Sequence, residues 1–280
     1  MERDPGPVPQ APLRSRIVPA ALMPNVARVF LRGRIGSEAG RRAFAGRLEA
    51  ASHLPNVAGI LLHVDSPGGD AVSSDEMREA VERVATRMPV VAEIRSVGAS
   101  GGYLVACAAH EIVARPWALV GSIGAILLRP NVSGLLERVG VSVDVSKTGP
   151  FKDLGSPFRA RTEADTAKED ELLAAIADRF VQTVAGARGM SVEAVRELAT
   201  GEVFTAERAS EVGLVDHVGN EDVALERLTD LCGFATRPFT FRLPGDFLPA
   251  PLRPAAAAGR ILGALAPATG RPRLEWTGWR

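Results

Sequence analysis

The chain has 280 residues, of which 46% are hydrophobic, 24% charged and 5% aromatic, and its 33 basic and 33 acidic residues leave no formal net charge. That length and balance imply one or two globular domains with an ample core, and they exclude a disordered, collagen-like or disulfide-stapled chain. The even charge lacks the basic footprint of a nucleic-acid binder, so no nucleic-acid partner is expected.

Residues 1–25 read as a proline-rich extension, with six prolines in the first 24 residues and no apolar run. A secretory signal peptide needs a hydrophobic stretch of about 7–15 residues, and none is visible. Nowhere do 18 apolar residues run without a charge, so no spanning helix is expected either. The location that follows is cytoplasmic or peripheral to a membrane.

From about residue 26 to 235 the pattern alternates short β-rich runs with helical ones, the signature of an α/β domain. Strands are expected at 26–33, 57–65, 89–96, 111–116, 118–127, 141–146 and 213–218. The run "VAGILLHVD" is almost continuously apolar, as a strand buried on both faces would be. Ser73 and Glu76 have capping-box spacing before Met77, Ala80, Val81 and Val84. A short helix is expected over 100–109. A longer one starts near Thr162, with Asp165 three residues on, and would bury Leu173, Ile176, Phe180 and Val184. Residues 236–280 form a basic, Ala/Pro-rich tail that ends in "LEWTGWR". With Trp276 and Trp279 it could lie on a membrane surface or dock on a partner.

Three glycine-rich turns follow three of the expected strands: Ser66-Pro67-Gly68-Gly69, Gly98-Ala99-Ser100-Gly101-Gly102-Tyr103 and Gly121-Ser122-Ile123-Gly124. Such turns let backbone N–H groups approach a ligand closely. Ser100 stands where a strand gives way to a helix, with the Gly101 N–H free to hold an oxyanion. The same position is also the usual one for a simple N-cap serine. A nucleophilic serine needs a base. His110 is ten residues away, about 15 Å along a continuous helix. His63 lies within a buried strand and His53 on a surface helix, which leaves His217. The other candidate is lysine. Only Lys147, Lys152 and Lys168 are present beside thirty arginines, and arginine cannot replace a lysine that must act as a base. A lysine in water has a pKa near 10.4, so a base needs it lowered by about 3 units. Lys152, between Phe151 and Leu154 and near Pro150, has apolar neighbours that could help, whereas Asp153 would oppose the shift unless it points away. Lys147 and Lys168 read as surface charges.

Cys107 and Cys232 are the only cysteines and read as small buried hydrophobes. The four histidines have no ligand partner at helical or hairpin spacing. No metal and no cofactor is expected.

Read together, "LLHVDSPGGDAVSSDEM", "PVVAEIRSVGASGGYLVACAAHEIVARPWALVGSIGAIL", "SKTGPFKDLGSPFR" and "GEVFTAERASEVGLVDHVG" resemble the signal peptide peptidase A family of serine peptidases, in its short single-domain form. The resemblance covers roughly residues 26–233. It implies a single-domain Clp protease/crotonase-like fold, a spiral of ββα units. It implies Ser100 as nucleophile, Lys152 as general base and Ser122 as the serine that orients the lysine. Gly68 or Gly69, together with Gly101, match the oxyanion donors. Peptides such as remnant signal peptides are the implied substrates. A homo-oligomeric ring with the Ser-Lys dyad across protomers is implied as well. Many members carry an N-terminal membrane anchor, and none is visible here. "VGASGG" also replaces a more usual alanine-rich lead-in.

Three rivals compete with this reading, the last of them a non-catalytic assembly scaffold. "GASGG" fits the nucleophile turn of an α/β-hydrolase esterase, with His217 as base. A crotonase-like acyl-CoA enzyme would use the oxyanion hole without Ser100.

Overall fold

The computed structural model describes residues 25–235 and 238–242. The elements in chain order are β1 (Asn25–Arg32), α1 (Glu38–Ser52), β2 (Val57–Ser66), α2 (Ala71–Ala85), β3 (Val90–Ala99), α3 (Gly101–Ala106), β4 (Glu111–Ala114), β5 (Leu119–Gly121), α4 (Ser133–Arg138), α5 (Glu163–Arg188), α6 (Val192–Leu198), β6 (Val203–Thr205), α7 (Ala206–Glu211), β7 (His217–Val218), α8 (Glu221–Leu231) and β8 (Phe239–Arg242). The sheet runs β6-β5-β3-β2-β1-β8, with β4 added to β3 and β7 to β4. Every pairing is parallel except β5 with β6.

The nearly unbroken apolar run of β2 is explained by its central place. Ile60, Leu62 and Val64 face the main core with Phe44 and Leu48 of α1, Val81 and Val84 of α2, and Val184 of α5. Leu61, on the other face, packs with Val26, Val91 and Val113 beneath Ala224, Leu225 and Leu228 of α8. Alternate residues of a strand point to opposite faces, so a strand covered on both sides must be apolar at every step. This two-sided burial sets the strand ends, and the glycine turns leave from the carboxyl ends of β2, β3 and β5, where open α/β sheets carry their sites.

Several elements differ from expectation for identifiable reasons. The cap of α2 is Asp70, whose side chain accepts the Ser73 N–H at 2.8 Å; Ser73 and Glu76 therefore lie inside the helix. β5 ends at Gly121 because Gly121, Ser122 and Gly124 adopt φ of 105°, 51° and 159°, which no strand tolerates. The short helix closes at Ala106. The strand expected over 213–218 is reduced to His217–Val218. No strand forms at 141–146. Val141, Val143 and Val145 alternate as a strand would, yet are 49%, 45% and 50% exposed, since no neighbouring strand among the described residues covers them. The capping box at Thr162 and Asp165 is present, and Phe180 and Val184 are buried, but Ile176 is 47% exposed. The first half of α5 meets a long arm, residues 126–160, chiefly through ions: Arg159 pairs with Asp153 and Asp165, and Arg129 and Arg161 pair with Glu169. The sheet also extends past the boundary expected at 235, since β8 pairs with β1 from Asn25 to Arg28. The proline-rich extension at 1–24 and the tail from 243, with its expected membrane or partner contact, lie outside the described residues. Among the described residues no helix is long and apolar enough to cross a membrane.

Tyr103, the only tyrosine in the chain, fixes α3 from within. It is fully buried and its hydroxyl donates to the Leu214 carbonyl at 2.7 Å. Removing the hydroxyl leaves that carbonyl without its partner. Tyr103→Phe should cost about 1–3 kcal/mol in urea unfolding; an unchanged midpoint would show that the bond contributes nothing net.

Candidate active site

The sharp turn after β3 holds Ser100 at φ 51° and ψ −126°, a conformation that L residues other than glycine rarely adopt. Two main-chain bonds hold it there: its N–H donates to the Gly121 carbonyl at 2.7 Å, and its carbonyl accepts the Leu104 N–H at 3.0 Å. Ser100 precedes α3 but makes no side-chain cap bond. The simple N-cap role is thus excluded, and the half-buried hydroxyl has no hydrogen-bond partner among the described residues.

Around this serine the other turns close in. A Cβ on Gly68 would lie 2.5 Å from the Gly101 nitrogen and 2.8 Å from Ser100 Cβ, so only glycine allows this approach. A Cβ on Gly101 would run into Ser74 Oγ, which is itself bonded to the Asp70 carbonyl. The Gly68 N–H donates to Ser66 Oγ at 3.1 Å, and Ser66 Oγ donates to the Gly33 carbonyl at 2.7 Å. Segment 68–70 pairs with Ile35 along one edge, through the Gly68 carbonyl and the Asp70 N–H. The Gly69 N–H points to the other edge and meets no acceptor among the described residues. Gly101 is the first residue of α3, so the helix provides no acceptor for its N–H. Two amides, Gly69 and Gly101, are therefore available beside one hydroxyl. Ser66 and Ser74, the braces of this arrangement, carry no local sequence signal beyond their place in serine-rich turns.

Ser122 follows the carbonyl that holds Ser100. It too has φ 51°, with its N–H on the Glu202 carbonyl at 2.7 Å. The fold therefore brings Ser100, Ser122, Gly68, Gly69 and Gly101 together. Lys152 is not joined to them: it is exposed on the arm, its N–H donates to the Gly149 carbonyl at 3.2 Å, and its side chain makes no hydrogen bond or ion pair among the described residues. Asp153 does point away from it, toward Arg159 and Lys147, which hold its carboxyl well below the usual carboxylate range.

His110 and His217 are otherwise occupied. His110 Nδ1 accepts the Val90 N–H at 3.1 Å. His217 Nε2 lies 3.2 Å from Glu111 Oε2. Register aligns His217 with Val113 and Val113 with Glu93, seven residues before Ser100, a span of roughly 20 Å at strand rise. His217 is thus not positioned as a base for Ser100. Burial pushes the Cys107 thiol up to about 12 and the Cys232 thiol up to about 11, so neither is a ready nucleophile.

Comparison with known proteins follows the same outline. The model of Peptidase family S49 matches residues 82–234. A Methanocaldococcus jannaschii protein named as a protease is 38% identical over 190 residues, 68% of this chain and 61% of its own length. A Synechocystis protein of similar name is 37% identical over 213 residues, 75% of each chain. Protease 4 of Salmonella typhi is 33% identical over 224 residues, 76% of this chain and 35% of its own. The chain thus spans between about a third and three quarters of these relatives. Among solved structures, a mutant of the 1510-N membrane-bound stomatin-specific protease aligns with TM-score 0.52 and 17% identity, covering 79% of this chain and 98% of that one. The likeness bears on fold alone: one α/β domain built on a largely parallel sheet.

The strain at Ser100 can be measured apart from any activity. Glycine relieves a positive φ and alanine does not, so Ser100→Gly should be more stable than Ser100→Ala by about 1 kcal/mol in denaturant melts. Equal stabilities would mean that the turn stores no strain.

Proposed function

Since this chain belongs to peptidase family S49, we propose that it is a serine endopeptidase that cuts peptides through an acyl-enzyme on Ser100, with Lys152 of a neighbouring copy as the base. The observation that carries this reading is the unengaged Ser100 hydroxyl on a strained turn, next to the free amides of Gly69 and Gly101. Ser100 Oγ attacks the peptide carbonyl while a neutral Lys152 Nζ takes its proton. Gly69 and Gly101 N–H groups hold the oxyanion. Gly68, whose N–H is spent on Ser66, shapes the turn. The lysine then delivers the proton to the departing amine, and water hydrolyses the ester by the reverse sequence. Ser122, one residue beyond the carbonyl that fixes Ser100, orients the lysine.

Assembly enters because the chain that supplies the hydroxyl leaves its own Lys152 in solvent. The same arm exposes Ile126, Leu128, Leu135 and Val139 by 61–77%. Apolar surface of that extent in one segment is a feature of interfaces. A homo-oligomeric ring that buries the arm against the next copy would cover these side chains and carry Lys152 to the neighbour's Ser100. Remnant signal peptides are the substrate class this reading favours, and the tail at 236–280 offers peripheral contact with a membrane.

A mixing experiment tests the reading. Ser100→Ala and Lys152→Ala should each lower peptide hydrolysis at least about 1000-fold, and Lys152→Arg should do no better. Unfolded together, refolded and mixed in equal amounts, the two inactive chains should regain about a quarter of wild-type activity, because a site across a seam draws one residue from each copy. No recovery would refute the shared dyad. His217→Ala should retain activity, and its loss would revive the histidine-based hydrolase.

A further inference from the structure

The α8 face of the sheet carries a polar cluster that plays no part in the chemistry above. His63 lies two residues beyond Leu61 and Glu93 two beyond Val91, so both point to the face that α8 covers. Register pairs them directly across β2 and β3. His63 is 2% exposed and Glu93 fully buried. His63 Nδ1 lies 2.5 Å from Glu93 Oε2, and the Phe30 ring stacks on the imidazole at 4.6 Å. Glu221, the first residue of α8, completes the group: each of the three offers a ligand atom within 4.8 Å of the others.

One atom is left without a partner. His63 Nε2 is buried and bonds to nothing among the described residues. With Glu93 Oε2 2.5 Å from Nδ1, the proton of the neutral imidazole belongs on Nδ1, which leaves the lone pair on Nε2, the nitrogen farther from the strand. A carboxylate behind one imidazole nitrogen is also the usual support of a metal-binding histidine.

We propose that His63 Nε2 and the Glu221 carboxylate bind one divalent transition ion of the zinc class, with Glu93 orienting the ring from behind and water completing the coordination. The imidazole favours Zn2+ or Co2+ over Mg2+ or Ca2+. Glu221, with 25% of its side chain exposed, opens the path to solvent. Arg28 is the resident competitor, since it pairs with Glu221 in the metal-free chain. The ion would tie α8 to β2 just before the turn that carries Gly69.

The test uses the untagged full chain, stripped with chelator and titrated with Co2+ alone. One equivalent should develop visible absorption bands and raise the melting temperature, and Zn2+ should bleach the bands. Glu221→Gln, at a partly exposed position, should weaken binding at least about 10-fold, and Glu93→Gln by about 10- to 100-fold. Arg28→Gln should tighten it several-fold by releasing Glu221. Absence of bands at saturating Co2+ in the wild-type chain would overturn the site, as would unaltered affinity in Glu221→Gln or weaker binding in Arg28→Gln. None of these readouts involves peptide hydrolysis, so the site stands or falls apart from the proposed dyad.

Discussion

The arrangement depends on one constrained peptide unit: the Ser100 N–H on the Gly121 carbonyl, with φ held at 51°. A positive φ at a residue with a Cβ costs of order 1–3 kcal/mol, and persists only where the surroundings over-determine it. Here the determinants are the carboxyl ends of parallel strands. β3 is paired to β2 on one side and to β4 and β5 on the other. It can neither slip nor untwist without breaking ladders on both edges. The turn therefore has no cheap way to relax, and the serine hydroxyl cannot fold back onto the α3 amides as a cap would. The cost is met by the apolar burial of β2 and β3, and what it yields is a hydroxyl directed away from its own helix.

The glycines around that hydroxyl are explained by the same closeness. Gly68 and Gly101 are in near contact with one another and with Ser100 and Ser74, so the site is assembled by removing side chains rather than by adding them. Ser66 adds a further condition. By taking the Gly68 N–H and giving its own proton to the Gly33 carbonyl, it ties the turn to the end of β1 and leaves Gly69 as the amide that faces outward. The choice between Gly68 and Gly69, open on spacing alone, becomes a question of which N–H is already occupied.

Much of this was legible in the amino-acid order. The central strands announce themselves by apolar runs, the three turns by glycine, and the capping box at Thr162 by its spacing. What was not legible depended on partners distant in sequence. The alternation at Val141, Val143 and Val145 is genuine strand character, but a strand needs a neighbour, and none lies beside it among the described residues. Ile176 has the right helical period but is left 47% exposed. The His63–Glu93 pair is thirty residues apart in the chain and opposite in the sheet, so a search at helical or hairpin spacing passes over it. Local pattern reports what a segment can form, whereas register decides what it meets.

The misfit segments have a common location. The uncovered valines, the half-exposed Ile176 of α5 and Lys152 all belong to one stretch after β5, within which arginine–carboxylate pairs tie the arm to the start of α5. The Asp165 and Glu169 carboxylates are buried, so each needs its arginine partner to offset the lost hydration, and Arg159, shared by Asp153 and Asp165, is the hub that fixes the orientation of the arm. An arm oriented by ions and lined with apolar side chains is prepared for a surface it does not yet touch. A lysine works as a base only where water is kept from it. If that exclusion comes from a second copy, a separated chain carries a hydroxyl with no base, and hydrolysis becomes a property of the assembled particle. That dependence would keep a newly made chain from cutting its surroundings before it has closed into the ring.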